Sequence, residues 1–181
     1  MSKQPEDKQT SPKPLYKKPV FIISGIVILA AILLYIIYPF SKNEGTDTEY
    51  MFKKEGELTF TDSLGVVKTK IDIEIANSDF DRQLGLMFRK HMDAKNGMLF
   101  IFPSEEMQAF WMRNTFIPLD MVFVNAEKKI VTIHRNTQTL SDQSYPSSAP
   151  AMYVIEVTGG FCSSHNIIDG DRINFIQLAE K

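Results

Sequence analysis

An uncharged run of nineteen residues, Val20–Tyr38, divides this sequence into two unequal parts. As an α-helix the run would be about 28 Å long, which is close to the thickness of the hydrocarbon core of a bilayer. Lys17 and Lys18 precede the run and Tyr35 lies near its far end, so the positive-inside rule places the N-terminus in the cytoplasm. We therefore predict a single transmembrane helix at residues 20–38, with the rest of the chain outside the cytoplasm.

A cleaved signal peptide is the alternative interpretation of this run. A signal peptide has a shorter apolar stretch, which is followed by small residues at a cleavage site. Here Ala30 and Ala31 are followed by further large apolar residues and then by Pro39. An uncleaved signal anchor fits this order better, and it predicts a periplasmic or extracellular domain that is tethered to the membrane.

The composition on either side of the run defines the remaining segments. Residues 1–19 are rich in Lys, Pro, Gln and Ser and are predicted to be a disordered cytoplasmic tail. Residues 39–56 are mostly polar and are interpreted as a linker, and residues 57–181 as the folded extracytoplasmic domain. Without the tail the chain carries 15 basic and 20 acidic side chains. A mildly acidic domain lacks the basic surface that nucleic-acid binding requires, so no nucleic-acid partner is expected.

Cysteine and histidine usage argues against a metal site. Cys162 is the only cysteine, which excludes an intramolecular disulfide and a four-cysteine zinc site. His91, His134 and His165 do not have the spacing of metal ligands. Phosphate-binding glycine motifs are also absent from the sequence. We therefore expect no metal and no cofactor, and we do not expect Cys162 to be an activated nucleophile.

Short apolar runs predict a β-rich domain. Lys70–Ile75 alternates strictly between polar and apolar residues, which is typical of a half-buried strand. Further strands are predicted at Met98–Phe102, Ala109–Met112, Asp120–Asn125, Lys129–His134, Met152–Val157 and Arg172–Leu178. Leu140–Pro150 has the composition of a long loop. The predicted fold class is mainly β, a β-rich α+β domain with a small compact or barrel-like sheet and one short amphipathic helix.

That helix is predicted to start at Ser78, whose hydroxyl can cap it. Its apolar face would consist of Phe80, Leu84, Met87 and Phe88. Arg82 and Arg89 are seven residues apart and would lie on the opposite side, with Gly85 between them. Two guanidinium groups beside a glycine could bind a carboxylate or a phosphate. The alternative is a solvated helix face, or two arginines that hold loops in place through acidic residues.

The segment Phe110–Asp120 combines apolar and polar side chains more densely than any other part of the sequence. Its polar and aromatic candidates for ligand binding are Trp111, Arg113, Asn114, Thr115 and Asp120. Asp120 leads into an apolar strand, where an unpaired carboxylate would be costly to bury. It therefore needs a partner, which Arg82, Arg89 or Arg113 could supply. Whether these residues form a ligand site or a buried structural network stays open at this point.

Glu156 lies inside another apolar strand and is a second carboxylate that could point inward. Two carboxylates can act as general acid and base on a glycosidic bond. Asp120 and Glu156 are therefore the candidate catalytic pair of a hydrolase that acts on an envelope polymer. A buried glutamate that is paired with an arginine is the commoner arrangement.

Three ordered motifs together resemble a known family. The motifs are Arg82–Arg89, Gly97–Phe102 and Trp111–Asp120. They are similar to the signature of the domain-of-unknown-function family number one hundred and ninety-two. That family comprises small exported or membrane-anchored prokaryotic proteins. The resemblance implies a compact β-rich domain, and it implies no activity, because none is established for the family. Arg113 stands where lysine is common, which keeps the charge.

The sequence therefore favours a membrane-anchored binding module over an enzyme. In this hypothesis Trp111 stacks on a small anionic or saccharide ligand, Asn114 and Thr115 donate hydrogen bonds to it, and Arg82 or Arg89 meets its charge. The alternatives are the hydrolase described above and a structural or assembly partner of envelope proteins.

Overall fold

The computed structural model describes residues 29–33, 35 and 50–179. Residues 29–33 and 35 are helical. Among the described residues, no helix is both long enough and apolar enough to cross a bilayer. The predicted tail at 1–19, most of the predicted transmembrane segment at 20–38 and much of the linker lie outside the described residues. Those predictions stay predictions.

The domain that follows is a β-rich α+β fold. Its strands are β1 Gly56–Thr61, β2 Val67–Ala76, β3 Asn96–Glu106, β4 Ala109–Phe110, β5 Leu119–Val124, β6 Ile130–His134, β7 Tyr145–Pro146, β8 Ala151–Thr158 and β9 Arg172–Gln177. Its helices are α1 Asp79–Leu84 and α2 Phe161–Ser164. Every strand that the sequence predicts overlaps one of these. The sequence did not predict β1, α2, or the two-residue strand β7 inside the predicted loop at 140–150.

Seven of the strands form one mixed sheet in the order β6-β5-β8-β3-β2-β1-β9, and β4 pairs with β7. The pairing of β2 with β3 is parallel and the other pairings are antiparallel. Because parallel neighbours need a crossover connection, the chain leaves the sheet between β2 and β3, and α1 lies in that connection. This crossover forms one wall of the candidate site described below.

The two edges of the sheet meet at one end. The backbone N–H of Ile130 donates to the carbonyl of Asp171 at 2.8 Å, and the N–H of Ile173 donates to the carbonyl of Lys128 at 2.9 Å. Lys129 and Arg172 also form an antiparallel bridge. The sheet is therefore strongly curled, and these hydrogen bonds occupy backbone groups that an open edge would expose.

Apolar side chains are buried on both faces of the sheet. One cluster includes Phe60, Ile73, Leu99 and Ile155, and the other includes Phe100, Met112, Met121 and Phe123. All six residues of β5 are buried as a result. A strand that is covered on both faces is typically a continuous apolar run, and β5 has this pattern apart from Asp120.

The predicted helix is shorter than the sequence suggested. The Ser78 hydroxyl accepts a hydrogen bond from the backbone N–H of Asp81 at 3.1 Å and caps α1 as expected, but the helix ends at Leu84. Gly85 has φ 49° and ψ −135°, which stops the helical geometry. The predicted apolar face is therefore wrong: Phe80 and Phe88 are 70% and 51% exposed. Arg89 lies beyond the helix, so it does not share a helix face with Arg82.

Candidate functional site

A cleft of about 240 Å³ opens between the crossover that contains α1 and the strands β3 and β4. The residues that line it and matter for its chemistry are Arg82, Gly85, Phe100, Phe102, Phe110, Trp111, Thr115 and Glu156. Pockets for drug-sized ligands have volumes of roughly 300–1,000 Å³. This cleft is somewhat smaller, so it suits a small ligand or one end of a larger molecule.

The walls of the cleft are aromatic and mutually packed. The ring of Phe110 lies edge-on to Phe100, with 5.0 Å between centroids and an interplanar angle of 89°. Phe102 and Phe123 contact the same ring, at 6.2 Å and 5.7 Å. Edge-to-face contacts of this kind fix ring orientations. The cleft is therefore held open by packing within the domain and needs no ligand to shape it.

A carboxyl group lies at the base of the cleft. Glu156 is only 4% exposed, and burial raises the pKa of its carboxyl to about 8, while the positive charge of Arg89 acts in the opposite direction. No hydrogen bond to this carboxyl comes from the described part of the chain, although buried carboxyls usually have partners. Its neighbours across the sheet, Met98 on β3 and Met121 on β5, are apolar.

Gly85 gives this carboxyl access to the cleft. A Cβ atom on Gly85 would lie 3.2 Å from Cζ of Phe100 and 4.0 Å from Oε2 of Glu156. It would crowd the ring and cover the carboxyl oxygen. The sequence identified Gly85 as a position where a ligand could approach, and the structure places it beside the one buried carboxyl of the cleft.

The three arginines of the predicted site already have acidic partners. Arg82 pairs with Asp79 and also donates to the carbonyl oxygen of Ile101 at 2.8 Å. Arg89 pairs with the buried carboxylate of Glu74 on β2 and stacks on the ring of Tyr50. Each guanidinium group has an ion pair within the protein, so none is arranged as an open anion site, although the Nε atom of Arg89 is buried without a hydrogen-bond partner in the described residues.

Arg113 lies outside the cleft and is also engaged. It donates to Asp142 at 2.7 Å and stacks on the ring of Trp111, with 4.4 Å to the centroid. Asn114, at φ 55°, forms an exposed turn and does not line the cleft. Of the predicted ligand-binding residues, the structure therefore brings Arg82, Trp111 and Thr115 together at the cleft and leaves the others outside it.

Asp120 is part of a buried structural network. It is fully buried, and its carboxylate accepts hydrogen bonds from the backbone N–H groups of Asn136 at 2.8 Å, Gly160 at 3.1 Å and Cys162 at 2.8 Å. None of the three arginines that could have supplied a partner pairs with Asp120 in the described residues. Backbone donors satisfy the charge instead, and the carboxylate ties two loops to the start of β5.

Asp120 and Glu156 lie on opposite faces of the sheet. Asp120 is directly opposite Val157, whereas Glu156 is directly opposite Met121. Successive side chains along a strand point to opposite faces, so a one-residue offset separates the two carboxylates by the thickness of the sheet. They cannot act on one glycosidic bond, and the hydrolase hypothesis in its two-carboxylate form is inconsistent with this register.

Two other polar groups that sequence reasoning considered are accounted for. Burial raises the pKa of the Cys162 thiol to about 12, and the nearby carboxylate of Asp120 adds to this effect. A thiol that stays protonated is a poor nucleophile. Glu74 was expected on the solvent side of a half-buried strand, but it is buried and paired with Arg89. In the described residues, no three His, Cys, Asp or Glu side chains are placed to hold a metal ion.

Sequence reasoning missed the aromatic walls of the cleft, which are formed by Phe100, Phe102 and Phe110. Phe100 and Phe102 were read only as a strand, since alternate aromatic residues are ordinary in a strand interior. One signal could have identified them: Phe100 and Phe102 lie in Gly97–Phe102, which is one of the three family motifs.

Comparison with known proteins agrees with these motifs. The sequence profile of the family of uncharacterised proteins called DUF192 matches residues 61–175, which is more than half of the chain. This chain is a member of the DUF192 family. The match covers nearly all of the β-rich domain, and it confirms the resemblance that the three motifs carried.

Individual proteins are also similar to this DUF192 chain. A UPF0127 protein from Pyrococcus furiosus is 28% identical over 123 residues, which cover 64% of this chain and 98% of the relative. The crystal structure of a proposed transcription regulator from Sinorhizobium meliloti matches with a TM-score of 0.64 and 30% identity, covering 71% of this chain and 96% of that one. A protein of unknown function from Novosphingobium aromaticivorans matches with a TM-score of 0.62 and 31% identity, covering 65% and 83%.

Proposed function

We propose that the DUF192 domain of this protein is a binding module that holds a small ligand in the aromatic cleft. The observation that carries this proposal is the carboxyl of Glu156, which is buried at the base of the cleft without a hydrogen-bond partner in the described residues. A carboxyl that the protein leaves without a partner can be satisfied by a water, an ion or a ligand that reaches it through the cleft. A ligand that fills the cleft can supply the missing partner.

The structure changes the ligand class that the sequence suggested. An anionic ligand was expected because of Arg82 and Arg89, but both guanidinium groups are paired with carboxylates. The bottom of the cleft holds a carboxyl group, that of Glu156, which does not attract an anion in either protonation state. A saccharide stacked on Trp111 is also less favoured, because Arg113 already stacks on that ring. The geometry supports a ligand with an apolar body and one polar group that meets Glu156.

The other two hypotheses have less support. Catalysis by a carboxylate pair is disfavoured because Asp120 and Glu156 lie on opposite faces of the sheet. A purely structural or assembly role would favour an exposed apolar patch without a concave site. Exposed apolar side chains such as Phe80 and Phe116 are present, but a preformed cleft lies beside them. Binding therefore explains more of the observations.

The test of the binding function is to block the cleft. Ala109 is exposed and borders the cleft, so Ala109→Trp is expected to fill it and to weaken ligand binding at least about tenfold. Ala94→Trp is the matched control, since Ala94 is exposed and does not line the cleft. Both full-length variants would be compared with the wild type by ligand-observed NMR against a library of small amines, amides, sugars and acids. The proposal would be contradicted if every ligand in the library bound equally well to Ala109→Trp and Ala94→Trp, or if none bound.

We also propose that residues 20–38 anchor the protein in a membrane and place the domain outside the cytoplasm. The uncharged run and the two preceding lysines support this. Deleting residues 20–38 is expected to release the protein from the membrane fraction. Deleting residues 1–19, which are equal in number, should leave it there. A C-terminal reporter that is active only outside the cytoplasm gives the orientation. If the variant that lacks residues 20–38 stayed in the membrane fraction, this segment would not be the anchor.

A further inference from the structure

The distribution of charge around the cleft leaves one group without a counterpart. Arg82 is matched by Asp79, Arg89 by Glu74 and Arg113 by Asp142. Glu156 is the acid of the cleft that takes part in none of these pairs, and at 4% exposed it is less exposed than Glu74 at 8%. The cleft therefore has a carboxyl group at its bottom and aromatic side chains in its walls.

The elements packed around Glu156 supply few other charges. On α1 these are Arg82, Asp79 and Asp81, and in the segment after it Arg89. In the row of side chains that crosses the sheet through Glu156, β2 contributes Glu74, β3 and β5 contribute methionines, and β6 contributes His134. His134 lies two strands away and bonds to the carbonyl oxygen of Pro146 at 2.8 Å. Arg89 is the cation that acts on Glu156, and it is shared with Glu74.

We propose that the ligand of this cleft is an organic cation, an ammonium group on an apolar body, whose charge meets the Glu156 carboxylate between the phenylalanine rings. This rests on the proposed binding function. Aromatic faces attract cations through their quadrupoles, and this attraction is stronger where water is excluded. Arg82 already lies 5.6 Å from the centroid of Phe102 at the rim, which shows a cation seated against this wall.

The apolar body has a place next to the cleft. A shallow groove is lined by Phe80, Gln83, Leu84, Met87, Trp111 and Arg113. Four of these residues, Gln83, Leu84, Met87 and Trp111, also line the cleft, so the two spaces are adjacent. A ligand with its cationic end at Glu156 can extend its apolar part past Trp111. The groove is mainly apolar, and its one charged lining residue is neutralised by Asp142.

Binding of a cation is coupled to the protonation of Glu156. Because the pKa of the empty site is raised to about 8, the carboxyl is mostly protonated at pH 7, and a cation selects the ionised form. The proton leaves to solvent, so about 0.9 proton is released per ligand at pH 7. Affinity rises about tenfold for each pH unit up to about 8 and then levels off. A neutral hydrogen-bond acceptor would show the opposite trend, since it needs the protonated carboxyl.

The experiment uses two probes of similar size and opposite expectation. Benzyltrimethylammonium keeps its charge at every pH and cannot donate a hydrogen bond through nitrogen, and benzamide is an uncharged acceptor. Isothermal titration of the full-length protein with each probe, from pH 6 to 9 and in two buffers of different ionisation enthalpy, measures affinity and proton release. We expect the cation to bind more tightly as the pH rises, and Glu156→Gln to abolish that dependence and lower its affinity at pH 9 at least tenfold.

Glu127→Gln is the matched control, because it makes the same chemical change at an exposed position on the turn between β5 and β6. It should bind both probes with the same affinity and the same pH dependence as the wild type. Thermal unfolding of each variant shows whether it is folded. If benzamide binds better at low pH and the cation does not bind, the cation assignment is wrong while the cleft remains a binding site. If neither probe binds, the assignment is equally wrong, and the Ala109→Trp comparison decides on the cleft itself.

Discussion

Glu156→Gln is expected to make the domain more stable than the wild type at pH 8 to 9 and about equally stable near pH 4. In the unfolded chain a glutamate ionises near pH 4.5, whereas burial raises the pKa of Glu156 in the folded domain to about 8. Between these values the folded state holds a proton that the unfolded state has lost. The free energy of unfolding of the wild type therefore falls as the pH rises through this window. Glutamine has no proton to lose, so the variant escapes this loss.

The difference in stability should be on the order of 3–5 kcal/mol above pH 8, since each unit of pKa shift corresponds to about 1.4 kcal/mol. Urea unfolding of both proteins at pH 4, 6, 7 and 9 measures it. Other groups titrate in both proteins and cancel in the difference. Glu127→Gln should show no such pH-dependent gain, because that side chain is exposed. A gain that is equal at all four pH values would mean that Glu156 does not titrate in the folded state as proposed.

Asp120→Ala is expected to have a large effect of the opposite sign. The substitution leaves the three backbone N–H groups of Asn136, Gly160 and Cys162 without an acceptor. At least the N–H of Cys162 is buried, so water cannot replace the carboxylate there. An unsatisfied buried group costs about 1–3 kcal/mol, and loss of this network should reduce the free energy of unfolding by about 3–5 kcal/mol.

Two variants test the origin of that loss. Asp120→Asn keeps one oxygen acceptor and should lie between the wild type and Asp120→Ala. Asp142→Ala removes an exposed acid from its pair with Arg113 and should change stability little, because solvent screens that pair. Ligand binding by folded Asp120→Asn should be retained, since Asp120 faces away from the cleft. Wild-type stability in Asp120→Ala would show that the loops do not depend on the carboxylate.

Much of the secondary structure could be predicted from the sequence, because local patterns determine it. Alternation identified β2, and short apolar runs identified the core strands. The cap at Ser78 was also correct. The end of α1 was missed because the apolar spacing continues through Phe88, while Gly85 leaves the helix with a backbone geometry that spacing does not encode.

The composition of the site was harder to predict, for a reason that lies in strands β5 and β8. Nearly all of their residues are buried, so polar and apolar residues do not alternate and the pattern does not reveal which face a side chain occupies. Asp120 and Glu156 therefore looked like equivalent inward carboxylates. Only the register, which pairs Met121 with Glu156, separates a structural acid from the acid of the cleft. Asp120 does have hydrogen-bond partners, as predicted, but they are backbone N–H groups and not arginine side chains.

The pairing of the first and last strands of the sheet has a consequence for engineering. Gly56 lies opposite Gln177, and the N–H of Leu178 donates to the carbonyl of Glu55 at 2.8 Å. The chain thus enters and leaves the domain at neighbouring points. A domain of this kind can be inserted into a loop of another protein, or circularly permuted by joining these two points and opening the exposed hairpin at Gly65. The cleft is built from the crossover and the middle strands, so it should keep its structure in such an insertion or permutation.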